Sequence, residues 1–233
     1  MRSRRLTRQW RQAAAVVTSV TSARQDLNML SALNLECLRG ERRLFRGIGF
    51  TLAAGELLFL EGQNGAGKTT LLRMLCGLTP PNAGEIRWQG EEIRHLDDDF
   101  HARLCYLGHQ NAIKEDLTPL ENICASAHLA DEPLSEDDAL NALEQVGLMG
   151  REDLTCRYLS QGQKRRVALA RLVHERRALW ILDEPFVALD TQAVTWLSGV
   201  IGAHLRRGGL TVMTTHQAVA IPAAPTRHLR LGA

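Results

Sequence analysis

The chain of 233 residues is 45% hydrophobic and 23% charged, with 28 Lys and Arg against 26 Asp and Glu, a balance that excludes disorder and collagen-like repeats and leaves ample length for a buried core. Five scattered cysteines, Cys37, Cys76, Cys105, Cys124 and Cys156, form no CxxC pair, which excludes a zinc ribbon or disulfide scaffold and reads as reduced thiols of a cytosolic protein. No uncharged apolar run approaches the roughly 20 residues that span a bilayer.

The formal charge of +2 is unevenly spread. Residues 1–28 hold six arginines and a single acid, Asp26, so this leader carries +5 while the rest of the chain carries −3. Met29 opens the first alternating segment and is the expected true start. The leader 1–28 then lies upstream of the true start; the alternative is that it is a disordered basic tail or a targeting segment. Basic residues are arginine almost throughout, and the lysines are Lys68, Lys114 and Lys164 alone.

From Met29 onward, short apolar runs alternate with helical patterns, which predicts an α/β fold with a largely parallel sheet. Leu30–Leu38 and Ile48–Leu52 read as strands flanking a charged turn at Gly40 and Glu41. Glu56–Glu61 reads as a buried strand and Lys68–Cys76 as a helix with Leu71, Leu72 and Leu75 on one face. Gly84–Gln89 alternates like a hairpin strand, and Leu104–His109 is a further strand. Between Thr118 and Gly150 the pattern is helical and acidic, broken at Pro133. Gln161–Arg176 reads as one amphipathic helix, Ala178–Leu182 as a hydrophobic strand, Thr191–Arg207 as a helix and Leu210–Thr215 as a strand.

The segment Gly62-Gln63-Asn64-Gly65-Ala66-Gly67-Lys68-Thr69, with Thr70 next, follows a strand and opens a helix. Its glycines let the backbone wrap closely around phosphates, and the amides at the helix start attract anionic oxygens. Lys68 can reach the β- and γ-phosphates, and the Thr69 hydroxyl can ligate Mg²⁺. A second element, Asp183 and Glu184, ends a hydrophobic strand at the carboxyl edge of the sheet, beside that loop. There Asp183 can hold Mg²⁺ and Glu184 can act as general base on water.

A third element narrows the class. Leu159-Ser160-Gln161-Gly162-Gln163 resembles the LSGGQ signature of ABC ATPases. Gln110 matches the Q-loop glutamine, Ala188-Leu189-Asp190 resembles the D-loop, and His216 matches the switch histidine. The resemblance implies a P-loop NTPase with a RecA-like parallel-sheet core, an N-terminal antiparallel β subdomain and an inserted helical subdomain at about 111–175, all in one ATP-binding domain over 29–233. It also implies ATP and Mg²⁺ as cofactors, with Gln110 joining Thr69 and Asp183 at the metal. Two subunits would pair head to tail, each ATP lying between the phosphate loop of one and Ser160, Gln161, Gly162 and Gln163 of the other.

Two departures bear on this. Gln161 replaces the first glycine of the signature, so a catalytically silent scaffold stays open beside an active ATPase. The aromatic that stacks on adenine has no counterpart, and Arg39, near the aligned position, offers a guanidinium face instead.

The run of YLGHQ, Ile113-Lys114, Leu117-Thr118, Leu120-Glu121-Asn122, LSQGQKRRVALARL and TTHQ is similar to ATP-binding subunits of cytochrome c maturation (haem exporter) ABC transporters. The short span from Gln110 to Ser160 and the 17 residues after His216 leave room for a compact helical subdomain and no regulatory C-terminal domain. This implies a peripheral protein on the cytoplasmic face of the inner membrane, docked to separate membrane-spanning subunits. It would couple hydrolysis to export of haem or release of a haem-loaded chaperone. Haem itself is not expected here, since His95, His101, His109, His128 and His174 show no paired axial-ligand pattern, and nucleic acid is not expected either. The alternatives are another small exporter of drugs, lipids or peptides, or a soluble ABC ATPase acting on nucleic acid.

Overall fold

The computed structural model describes residues 28–217, 219–222 and 224–232, so the expectations for the basic leader lie outside it. Two sheets meet over a shared core. The first is a four-stranded antiparallel sheet in the order β2-β1-β4-β5. β1 (Asn28–Arg39) and β2 (Arg42–Ala53) form a long hairpin through the turn at Gly40 and Glu41. Burial along β1 falls on Leu30 and Ala32, then slips by one to Leu35 and Cys37. Asn34, at φ 49, sits in the register shift that causes the slip, a bulge in an otherwise strict alternation. β2 begins well before the expected Ile48 because its first half is polar. There Arg43 and Arg46 pair across the ladder with Glu36, at 2.8 and 3.9 Å, on an exposed face. β4 (Ala83–Trp88) pairs with the other edge of β1, and β5 (Glu91–Glu92) closes the sheet.

The second sheet is parallel, in the order β6-β7-β8-β3-β9. It comprises β3 (Leu57–Glu61), β6 (Leu104–Leu107), β7 (Leu179–Leu182), β8 (Leu210–Thr214) and β9 (Thr226–Arg230). All four residues of β7 are buried because both faces are covered, as parallel sheets require. Leu179 and Ile181 join Leu30, Leu71, Leu72, Leu75 and Trp88 in the core between the sheets. Trp180 and Leu182 pack on the opposite side with Leu169, Leu197, Ile201 and Leu205. β9 has no counterpart among the expected strands. As an edge strand it reads Thr-Arg-His-Leu-Arg, too polar to register as an apolar run.

Six helices join these strands among the described residues. α1 (Lys68–Leu75) lies between the sheets, and α2 (Asp97–His101) precedes β6. α3 (Pro119–Leu129), α4 (Glu136–Gln145) and α5 (Gln161–Ala170) bury Ile123, Ala139, Leu143 and Val167 in a separate helical core. α3 starts on a reciprocal capping box between Thr118 and Glu121. α5 is shorter than expected. After Ala170 the chain tightens to a 3-10 turn over Arg171–Val173, which keeps Leu172 buried while turning toward β7. α6 (Thr191–Arg206) covers the outer face of the parallel sheet. No helix among the described residues is long and apolar enough to cross a membrane.

One buried histidine makes stability depend on pH. His204 stacks on Trp180 with ring centroids 3.9 Å apart and planes 8° from parallel. Its Nε2 lies 3.1 Å from the carbonyl oxygen of Leu210, so that nitrogen carries the proton and donates it. Burial, opposed by this hydrogen bond, pushes the imidazole pKa down to about 4. The unfolded chain, with an ordinary histidine near 6.5, therefore takes up a proton that the fold refuses. Stability is fully present above about pH 6.5 and falls as the pH drops toward 4, by about 3 kcal/mol at most from this group. Denaturant titrations at pH 7.5 and pH 5 should show a smaller pH effect in His204→Gln than in the parent. An equal pH effect in both proteins overturns this assignment.

Candidate nucleotide site

The loop after β3 leads to α1 through Gly67, which holds φ 97 in the left-handed region that favours glycine. The first helical hydrogen bond runs from the amide of Leu71 to the carbonyl of Gly67 at 2.8 Å. The amides of Lys68, Thr69 and Thr70 therefore lie in the first turn, where no intrahelical acceptor exists and the helix dipole favours an anion. Lys68 folds back over its own loop, its Nζ donating to the carbonyl of Gly62 at 2.7 Å and lying 3.4 Å from that of Gln63.

β7 lies one strand away from β3, with β8 between them, and this order brings its acidic end to the loop. Thr69 Oγ1 donates to Asp183 Oδ2 at 2.8 Å, and Thr214 Oγ1 at the end of β8 donates to Asp183 Oδ1 at 2.7 Å. The same Thr214 oxygen accepts the amide of Glu184 at 2.8 Å. Asp183 is buried and Glu184 is half-buried. Glu184 sits at φ 50, a left-handed conformation that costs a non-glycine residue about 1 kcal/mol or more. His216 Nε2 comes within 3.3 Å of Glu184 Oε1, but off the angle of a hydrogen bond, and that oxygen is sealed from solvent with no donor from the described chain.

These groups line one cavity of about 470 Å³. Gln63, Asn64, Gly65, Gly67, Lys68, Thr69, Thr70, Asp183, Glu184 and His216 all face it, as does Arg39 beside Leu44. Gly62 lines the adjoining cavity, with Gln63, Asn64 and His216. Ala66 lines neither, and its amide donates to the carbonyl of Gln63 at 3.1 Å within the loop. Gln110 is exposed in the bend after β6 and stays out of the cavity, whereas its neighbour His109 lines it.

The four signature residues are not among those lining the cavity. Ser160 caps α5, accepting the amide of Gln163 at 3.2 Å while Gln163 Oε1 accepts the amide of Ser160 at 2.9 Å. Gln161 is exposed at the helix start. Gly162 approaches the D-loop of its own chain so closely that a Cβ there would lie 3.0 Å from the carbonyl oxygen of Ala188. Asp190 caps α6 by accepting the amide of Ala193 at 2.9 Å and pairs with Arg166.

Two groups escaped the sequence reading. Thr214 lies within TTHQ, but only the strand order reveals that its hydroxyl faces Asp183. Arg165 follows the signature as one of three basic residues, and nothing in their order separates it from Lys164 and Arg166. In the structure it is 4% exposed and reaches across to β7.

The donor set at the loop fits a hard divalent cation. Thr69 and Asp183 supply oxygens only, and no cluster of three or more His, Cys, Asp or Glu forms a closed protein cage among the described residues. All five cysteines are free, and burial pushes the thiols of Cys76 and Cys105 up to about 12, which keeps them neutral.

The family model described as ABC transporter matches residues 45–187. The chain is 73% identical over 204 residues to the cytochrome c biogenesis ATP-binding export protein CcmA of Dechloromonas aromatica, covering 88% of this chain and 100% of that one. It is 46% identical over 205 residues to the protein of the same name from Escherichia coli strain K12, covering 88% and 97%. Among solved structures it resembles the ATP-binding subunit of an ABC transporter, with a TM-score of 0.74 and 26% identity over 88% of both chains. An ATP-binding cassette solved as a dimer with ADP and Pi shares the fold at a TM-score of 0.71 and 23% identity, covering 87% of this chain and 94% of that one. The chain belongs to the ABC transporter ATP-binding family and, within it, to the CcmA group.

Proposed function

We propose that this chain is the ATP-hydrolysing subunit of an ABC exporter for cytochrome c biogenesis. Its hydrolysis would drive export of haem, or release of a haem-loaded chaperone. The hydrolytic part of this reading rests on one arrangement: the Glu184 side chain lines the same cavity as Asp183, Thr69 and Lys68. The export part rests on the role named for relatives as much as 73% identical.

In this reading the helix-start amides and the Lys68 ammonium hold the phosphates. Thr69 and Asp183 would hold Mg²⁺, with Gln110 approaching from the bend after β6, and the ion would neutralise charge on the β- and γ-phosphate oxygens. Glu184 orients water and accepts its proton, while His216, 3.3 Å from the same carboxylate, stands at the γ-phosphate end of the cavity. Arg39 and Leu44 offer a guanidinium face and an apolar face to the base. Ser160, Gln161, Gly162 and Gln163 serve a second copy of the chain, whose ATP they would close over. The dimer works on membrane-spanning subunits of the cytochrome c maturation system, at the cytoplasmic face of the inner membrane.

Deleting the gene in its native host should abolish covalent haem attachment to c-type cytochromes, read by haem staining of membrane fractions. The parent gene should restore it and Lys68→Ala should not. Normal c-type cytochromes in the deletion strain overturn the role in cytochrome c biogenesis.

A further inference from the structure

Arg165 is a buried cation among uncharged partners. It lies one turn into α5, and among the described residues no carboxylate makes an ion pair with it. Its Nη2 instead donates to the carbonyl oxygens of Asp183 at 3.2 Å and Glu184 at 2.8 Å. Its Nη1 donates to the carbonyl oxygen of Gly108 at 3.3 Å and to Asn111 Oδ1 at 3.1 Å. Burying a guanidinium in this way is costly, and the cost is offset by its hydrogen bonds and by the nearby charges of Asp183 and Glu184. The choice of partners points to its role. One plane of donors links the backbone at the end of β7 to the segment that follows β6.

What it grips is the strained residue. Glu184 holds φ 50, and both sides of its backbone are fixed: its amide donates to Thr214 and its carbonyl accepts from Arg165. Released from either, the residue would relax toward an ordinary conformation and carry its carboxylate away from the phosphate loop. The second pair of partners lies on a segment tied to the same region of the chain. Lys164 pairs with Glu115 at 2.5 Å, Arg157 donates its amide to the carbonyl of Glu115 at 2.9 Å, and Cys156 donates its amide to that of Leu117 at 2.9 Å. Asn122 clamps the far end of this segment through the amide of Lys114 at 2.7 Å and the carbonyl of Thr118 at 2.9 Å.

We propose that Arg165 is a positioning residue for hydrolysis, holding Glu184 in its strained conformation and coupling that conformation to the position of segment 108–118. This rests on the reading of Glu184 as the general base. Arg165 does not itself line the nucleotide cavity and meets Asp183 and Glu184 only at their backbone carbonyls, so its loss should leave ATP binding in place and remove turnover.

The test compares parent, Arg165→Gln, Arg165→Lys and Glu184→Gln as purified proteins, measuring ATP affinity, kcat, KM and melting temperature. A displacement of about 1 Å at a reacting group costs on the order of 100-fold in rate, so kcat per nucleotide-binding site in Arg165→Gln should fall roughly 10- to 100-fold. KM and ATP affinity should stay within about twofold of the parent. Arg165→Lys, which keeps the charge but cannot bridge four oxygens in one plane, should recover only part of kcat. If Arg165→Gln does not fold, Arg165→Lys carries the same comparison. An unchanged kcat per site in a folded Arg165 variant overturns the proposal, as does a loss of ATP affinity that accounts for the whole effect. Normal hydrolysis by Glu184→Gln would instead overturn the underlying assignment of the base, so the two failures are distinguishable.

Discussion

Glu184→Gln should bind ATP as the parent does and lose turnover. The amide keeps the size and shape of the side chain, so the Thr214 and Arg165 contacts to its backbone survive. What it loses is the proton acceptor, and general-base catalysis contributes roughly 100- to 10,000-fold to rate. Hydrolysis should fall by that order. Because ATP then persists, the protein should run as a dimer in ATP and as a monomer without nucleotide, read by size-exclusion chromatography with light scattering. Hydrolysis at the parent rate overturns the role of Glu184. A monomer in ATP overturns the head-to-tail pairing while leaving the base assignment intact.

Lys68→Ala should fail one step earlier. The Lys68 ammonium is held on loop carbonyls, 2.7 Å from that of Gly62, with its charge directed at the cavity. Charge-assisted hydrogen bonds to phosphate oxygens contribute about 1.5–3 kcal/mol each. Losing two of them weakens binding by roughly 100-fold or more, measured by titration with a fluorescent ATP analogue. Lys68→Arg should not rescue it. A planar guanidinium is broader than the compact ammonium, which sits within a single loop turn. Parent-like affinity in Lys68→Ala overturns the assignment. In a chain where nearly every basic residue is arginine, this is a position that chemistry reserves for lysine.

Much of the site was legible because its residues are local in sequence and obey strong rules. A phosphate loop needs glycines and a lysine at fixed spacing between strand and helix, and an acidic pair after an apolar strand points to the same sheet edge. Four apolar residues ending in Asp183 and Glu184 therefore announced both β7 and the place of its acidic end beside the loop. What stayed hidden is what strand order creates. Thr214 meets Asp183 only because β8 pairs with β7, and Arg165 meets Glu184 only because α5 packs across the end of that strand. The same limit explains β9, whose partner β3 supplies the regularity that its own polar residues do not. It also explains the short α5, where the apolar stripe continues through Leu172 although the helix has tightened. Periodicity reads which face is buried and is blind to the pitch that delivers it.

The strand order carries one further consequence, for how the chain is made. β3 and β7 do not pair with each other; each is joined to β8, which is synthesised after both. Before the residues near Leu210 are made, β3 with its phosphate loop has no partner in its sheet, while β7 with its acidic pair is joined to β6 alone. β3 and β7 each leave an apolar strand edge open until β8 is made, and open edges of this kind favour aggregation. Such a late, long-range closure also makes folding slow. Asp183 and Glu184 meet Thr214 only when the central strand arrives, so the candidate site is completed late in synthesis.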